Sequence, residues 1–218
     1  MPDKDPTVYI VDGDPHFRES VSTMVRSMGP SAVAYPSAEA FLDSYSDPPP
    51  SPKCMVLDVR LSGLSGLGLQ QMLAADGKGM PIIMISGCAD IPMAVQAMRA
   101  GALDFLEKPI SSQTLSVRIR EAIDYDVCQH REASRKTELV RHVERLSTRQ
   151  HEVFDLLVAG ESSKQIARQL DIGEKTVAKH RATVLEKMQV DSVVGLVRLF
   201  ADAHLTHVDG HASVAQCN

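Results

Sequence analysis

Cysteine is scarce in this 218-residue chain and never paired in sequence. Cys54, Cys88, Cys128 and Cys217 stand far apart with no C-x-x-C, which argues against a disulfide framework or a structural zinc site. Cys54 and Cys88 read as core or rim thiols. No apolar run approaches the ~20 residues of a membrane span. The opening Met1-Pro2-Asp3-Lys4-Asp5 has neither the basic head nor the apolar body of a secretory signal, so a cytoplasmic protein without a membrane is expected. A general basic excess is missing too: the net charge is −5, with 10 basic against 16 acidic groups in residues 1–130 and 13 against 12 in the rest. The first half is therefore a poor nucleic-acid binder. What is plentiful is apolar material, 44% of the chain, enough for one large or two modest cores.

That material is organised. Thr7-Val8-Tyr9-Ile10-Val11, Cys54-Met55-Val56-Leu57, Ile82-Ile83-Met84-Ile85 and Ala102-Leu103-Asp104-Phe105-Leu106 are short runs apolar on both faces, the pattern of buried parallel strands. Ser31-Ala32-Val33-Ala34-Tyr35 is a weaker fifth. Between them, 14–29, 37–46, 66–76, 90–101 and 111 onward show apolar spacing near 3.6, and Pro-rich 47–52 reads as a surface connection. Five β/α units predict an α/β doubly wound, five-stranded parallel sheet over residues 1–124.

Ligands of such sheets gather beyond the carboxyl ends of the strands. At or just after four of those ends stand Asp12, Asp58, Ser86 and Lys108. Two carboxylates, a hydroxyl and an ammonium group form a set that can handle phosphate: one carboxylate accepts a phosphoryl group while a divalent metal and the fixed cation offset the accumulating negative charge. Asp58 is the candidate acceptor, Asp12 the magnesium ligand, and Ser86 and Lys108 the phosphate contacts. A cis bond at Lys108-Pro109 would aim the ammonium inward. Taken singly, each residue is equally a surface polar group at a strand end.

Val11-Asp12, Leu57-Asp58-Val59-Arg60, Ile85-Ser86-Gly87 and Phe105-Leu106-Glu107-Lys108-Pro109 resemble the receiver domain of two-component response regulators, over about residues 7–124. Pro92 to Met98 followed by Ala100-Gly101-Ala102 resembles the FixJ branch of the FixJ/NarL type. The resemblance implies Asp58 as phosphoacceptor and a Mg2+ held by Asp12, Asp58 and the backbone carbonyl of Arg60. It also implies Ser86 and Phe105 as a switch pair, and a surface around 90–101 and the last strand that dimerises. One departure stands out. The family carries two adjacent acids after its first strand, whereas here Gly13 follows Asp12, which predicts weak magnesium binding. Asp14 is expected to cap the first helix rather than reach the ion.

From Ser111 a helical pattern runs into the charged stretch 129–145, where Leu139, Val140 and Val143 are the larger apolar positions. A helical linker over 125–145 is expected, as a solvated spacer rather than a coiled coil. Four short helical patterns follow at 147–159, 163–170, 174–188 and 192–204, a small all-α unit over 146–204. Gly160 and Gly173 are placed to end helices and Ser147 and Asp191 or Ser192 to begin them. Residues 205–218 read as a loose tail, in which His204, His207 and His211 at the margin are not a metal site. On 174–188, Val177, Val184 and Met188 face inward; Lys175, Ala178, Lys179, Ala182 and Glu186 lie opposite, small residues beside cations as a major-groove helix requires. A plain bundle with a hydrated face has the same periodicity.

Leu146 to Gln150, Glu152-Val153, Ala159-Gly160, Lys164 to Ala167, Thr176-Val177, His180-Arg181 and Lys187-Met188 resemble the LuxR-type helix-turn-helix. That resemblance puts Ala178, Lys179 and Ala182 at base-facing positions and Lys175, Thr176 and Arg181 at phosphates, with His180 given to packing. The whole is expected to be a DNA-binding regulator, not an enzyme, phosphorylated by a sensor histidine kinase. Its further partners would be double-stranded promoter DNA, RNA polymerase, and a second copy of itself when active. Two alternatives remain: a regulator independent of phosphate because of Gly13, and a phosphatase resembling the haloacid dehalogenases that uses Asp12 and Asp14.

Overall fold

A computed structural model describes residues 5–45, 51–75, 79–88, 90–202, 205–208 and 211–214. They divide into two compact units, Met1–His130 and Arg131–Asn218.

In the first unit, β1 (Thr7–Val11), β2 (Ser31–Tyr35), β3 (Lys53–Asp58), β4 (Ile82–Ser86) and β5 (Asp104–Glu107) form one sheet in the order β2-β1-β3-β4-β5. All neighbours are parallel. The pleat sends alternate side chains to opposite faces. Tyr9, Val11, Met55, Leu57, Ile82 and Met84 meet Phe41 of α2 (Ala38–Ser44), Leu69 and Leu73 of α3 (Gly66–Ala75) and Ala97 of α4 (Ile91–Arg99). Val8, Ile10, Cys54, Val56, Ile83 and Ile85 meet Val21 and Val25 of α1 (Pro15–Ser27) and Leu115, Ile119 and Ala122 of α5 (Ser112–Glu144). With both faces covered, strands must be apolar throughout, which is why they were visible as runs. The edge strand β2 is mostly exposed, hence its weaker signal. Cys54 is a core thiol, and burial pushes its pKa up to about 12. Cys88 is exposed.

Helix starts follow side-chain caps. The Asp14 carboxylate accepts from His16 N at 2.9 Å, Ser37 Oγ from Ala40 N at 3.2 Å, and the Asp90 carboxylate from Met93 N at 2.7 Å. The Pro-rich connection at 47–52 lies largely outside the described residues. Chain order reverses between β1 and β3, whose neighbours in sequence lie on opposite sides of them, so the carboxyl edge of this pair is the crevice of the sheet.

The second unit contains α6 (Thr148–Val158), α7 (Ser163–Gln169), α8 (Glu174–Lys187) and α9 (Val193–Asp202) around Val153, Phe154, Leu157, Ile166, Val177, Val184, Met188 and Leu196. Ser147 N donates to Gln150 Oε1 (3.0 Å) and Ser162 N to Gln165 Oε1 (2.9 Å), the return bonds of two capping boxes. Three expectations need correction here. The stretch 129–145 is no solvated spacer: it continues α5, and its Leu139 and Val143 are buried in this second core. Two apolar residues four apart on one helix face are enough for that. Between α7 and α8 the left-handed residue is Asp171 (φ 51°), while Gly173 is the N-cap of α8. Finally, the tail expected to be loose carries an antiparallel ribbon, β6 (Leu205–Val208) paired with β7 (His211–Val214). The intervening sequence Asp209-Gly210 is a dipeptide favoured in two-residue hairpins, a signal the composition of the tail obscured. His204 lies outside the described residues.

Phe41 is fully buried with its ring 5.7 Å from Tyr9, 5.3 Å from Tyr35 and 4.7 Å from Tyr45 between centroids. Phe41→Ala is expected to destabilise the protein by about 3–5 kcal/mol, measured by urea unfolding.

Candidate functional site

The crevice at the β1/β3 edge is built by residues at strand ends. Asp12 follows β1, Asp58 closes β3, and Lys108 follows β5 directly and precedes Pro109 across a cis peptide bond. Across 96 and 50 residues of sequence, Lys108 Nζ donates to Asp12 Oδ2 at 2.6 Å and to Asp58 Oδ2 at 2.8 Å. The remaining carboxylate oxygens are held by backbone: Asp12 Oδ1 accepts from Asp14 N (2.8 Å) and Asp58 Oδ1 from Arg60 N (2.9 Å). Three sequence-predicted residues are thus brought into one bonded cluster.

Ser86 ends β4 and is fully buried, but its Oγ donates to Cys88 O (3.1 Å) rather than to the carboxylates. Its link to the cluster is through backbone, Lys108 N donating to Ser86 O at 2.8 Å. Phe105, paired with Met84 across β4 and β5, packs half-buried on the face under α4. The Arg60 side chain is exposed.

Two participants escaped the sequence reading. Arg18 Nη1 donates to Asp12 O at 2.6 Å, and Lys108 Nζ sits 4.3 Å from the centre of the Phe17 ring, a cation–π contact. Both stand in the first turns of α1, where side chains lean back toward the helix start. With Asp14 as the N-cap, that lean was the available clue.

The electrostatics follow from burial. Asp12 is 1% exposed, and loss of water raises its carboxyl above the ordinary range; hydrogen bonds from Lys108 and Asp14 N pull the other way. Burial alone would lower the Lys108 ammonium, but hydrogen bonds to Asp12 and Asp58 and their charges outweigh it and leave it raised. The cluster is a buried anion pair under one shared cation.

In the second unit, Lys175, Thr176, Ala178, Lys179, Arg181 and Ala182 are all exposed along α8, while Val177, Val184 and Met188 are buried. The two faces are therefore segregated as their spacing predicts. Lys187 is pinned instead, its Nζ donating to Arg145 O (2.9 Å) and Gln150 Oε1 (2.7 Å), and Arg149 Nη2 donates to Leu170 O (2.5 Å) at the end of α7. These two cations hold the helices together.

Residues 8–120 match the family described as response regulator receiver domain, and residues 144–200 the family described as bacterial regulatory proteins, luxR family. The chain is similar to the response regulator protein TmoT of Ectopseudomonas mendocina, 42% identical over 91% of this chain and 90% of that one. It is also similar to the transcriptional regulatory protein FixJ of Bradyrhizobium diazoefficiens, 38% identical over 88% of this chain and 93% of that one. This chain is a response regulator. Among solved structures it resembles the response regulator StyR, with a TM-score of 0.79 and 36% identity over 91% of this chain and 99% of that chain. The regulator thus joins a receiver domain to a luxR-type DNA-binding domain, the architecture of a two-component transcription factor. The Asp14 carboxylate, the second aspartate of the phosphatase alternative, is the N-cap of α1. No helix of the described residues is long and apolar enough to cross a membrane.

A carboxyl whose folded pKa is raised contributes instability that is absent below the unfolded value, about 3.9 for aspartate, and grows as pH rises toward the folded value. Asp12→Asn removes it. Thermal unfolding is therefore expected to show the Asn variant more stable than wild type at pH 7, with the difference vanishing at strongly acid pH.

Proposed function

We propose that Asp58 accepts a phosphoryl group from a sensor histidine kinase and that this modification governs binding of promoter DNA by the exposed face of α8. The observation that carries the reading is the Lys108 ammonium shared between Asp12 and Asp58. In the transfer an Asp58 carboxylate oxygen forms the new P–O bond as the P–N bond to the kinase histidine breaks, and the imidazole leaves with a proton. Lys108 offsets the charge that accumulates on the phosphoryl oxygens. Ser86, buried at the next strand end, supplies the hydroxyl that turns from Cys88 O to the phosphoryl group, and Phe105 follows on the surface beside it. The added charge of about −1.5 to −2 is the signal.

The donor set suits magnesium. Asp12, Asp58 and the Arg60 carbonyl are oxygen ligands of the hard type this ion takes, and burial of Asp12 raises its carboxyl despite the bond from Lys108. When bound, the ion supplies further charge neutralisation at the transferring group. Gly13 leaves the site one acid poorer than the receiver pattern it resembles, and a Cβ there meets nothing within 4 Å, so the backbone position is open to a side chain.

The division of labour is a receiver over 1–124, a helical connector over 125–145 whose Leu139 and Val143 belong to the second core, and a DNA-binding domain over 146–204. Ala178, Lys179 and Ala182 face bases; Lys175, Thr176 and Arg181 anchor phosphates. The active form is a dimer working in the cytoplasm, and RNA polymerase is a partner if the regulator activates transcription.

Acetyl phosphate with magnesium is expected to label wild type, to leave Asp58→Asn unlabelled and to label Gly13→Asp at lower magnesium than wild type. Wild type that takes no label while still binding promoter DNA would establish the phosphate-independent reading that Gly13 motivates. Lys179→Ala is expected to weaken duplex binding by about tenfold and to reduce the slope of log K against log salt by about 1, measured by titration at several salt concentrations.

A further inference from the structure

We infer that Glu39, on a helix that supplies none of the crevice residues, is a positioning residue for phosphoryl transfer: it holds the loop that follows Asp58. The inference rests on Asp58 being the acceptor. After β3 the chain runs from Val59 to Ser65 and turns back into α3 at Gly66. Its two ends are closed on the sheet and on the acceptor. Val59 N donates to Ile85 O (2.9 Å), Arg60 N to Asp58 Oδ1 (2.9 Å) and Gly66 N to Val59 O (3.0 Å). The middle is tied from outside, Leu64 N donating to Glu39 Oε1 at 2.7 Å across 25 residues of sequence.

Two glycines show how tightly these pieces approach. Gly63 is left-handed (φ 84°), and a Cβ on it would collide with Glu39 Oε1. Gly66 lies so close to the Asp58 carbonyl that a Cβ would overlap it. The loop is therefore clamped between α2 on one side and the backbone of the acceptor on the other. An acid in the first turn of α2 is favourable for the helix itself, so its presence alone says little. Its reach into another loop is what the helix does not require. The Leu64 amide is the main cause that holds the Glu39 carboxyl below its ordinary range, as expected for a charge-assisted bond.

The consequence concerns Arg60. Its amide orients the Asp58 carboxylate and its carbonyl belongs to the proposed oxygen set for the metal, so a loop free to swing carries both away together. Glu39 restricts that swing without touching the reacting atoms. The bond should therefore tune how much magnesium the receiver needs, leaving the final extent of labelling unchanged.

The test uses the full chain with four versions of position 39. A bond of this kind is worth about a twofold to tenfold change in an equilibrium. Glu39→Ala is expected to raise the magnesium needed for half-maximal labelling by acetyl phosphate by about threefold or more, with the same plateau. Amide exchange of residues 59–66 in metal-free protein is expected to accelerate by about the same factor. Glu39→Gln keeps an oxygen that accepts from Leu64 N and should recover most of both effects. Glu39→Asp keeps the charge and draws the oxygen back by one methylene, so it should behave as Glu39→Ala does; it also serves if the alanine variant folds poorly. A merely structural role would lower the plateau and leave the half-saturation alone. Labelled wild type with unchanged half-saturation in the Ala and Asp variants, or Gln no better than Ala, overturns the role of Glu39 and leaves the acceptor standing. Wild type that takes no label overturns both.

Discussion

One ammonium group between two carboxylates organises the first unit. Asp12 and Asp58 are almost out of water, and two like charges there are tolerable only with a cation in contact. Lys108 supplies it, arriving from the far end of the unit by way of β5. For its Nζ to reach both Oδ2 atoms, β1, β3 and β5 must end at one edge, and the all-parallel order β2-β1-β3-β4-β5 delivers that. The balance is narrow, as the raised Asp12 carboxyl shows: the shared cation does not fully repay the burial. On the proposed reading this residual need for positive charge is what a magnesium ion answers, and Gly13 decides how well.

Around the cluster, backbone does the fine placement. Asp14 N and Arg60 N each hold one oxygen of an aspartate, and Lys108 N is bonded to the buried end of β4. Arg18, Phe17 and Glu39 add support from two helices that contribute none of the phosphate-handling residues. The site is thus a product of the sheet edge, stiffened by the helices laid against it.

The second unit rests on a different constraint, the segregation of faces on short helices. Val177, Val184 and Met188 had to be buried for α8 to fold against α6 and α7, and the same rotation leaves Lys175, Lys179 and Arg181 in solvent. Lys187 and Arg149 look equally available in sequence, yet both are spent on carbonyl and amide oxygens inside the unit. Charge alone therefore does not identify a DNA-facing cation. Bonding does: Lys187 and Arg149 are held by oxygens inside the unit, while Lys175, Lys179 and Arg181 stand exposed on α8.

Legibility divides along the same physical line. Strands covered on both faces must be apolar throughout, so β1, β3 and β4 are visible as runs, and their ends mark Asp12, Asp58 and Ser86. Exposed β2, made mostly of small side chains, is faint for the same reason. Past residue 129 the helix α5 and its apolar Leu139 and Val143 are legible, but their burial is not, because it depends on partners distant in sequence. The ribbon at the tail went unseen for want of an apolar pattern. By itself the order of residues determined the element types as far as α9, the two-unit organisation and the chemical groups at the strand ends, since these follow from local periodicity and composition. Only the tertiary structure decided that Lys108 bonds both aspartates and that Glu39 reaches Leu64, because hydrogen bonds across 25 to 96 residues are fixed by register and packing, which leave no periodic trace in sequence.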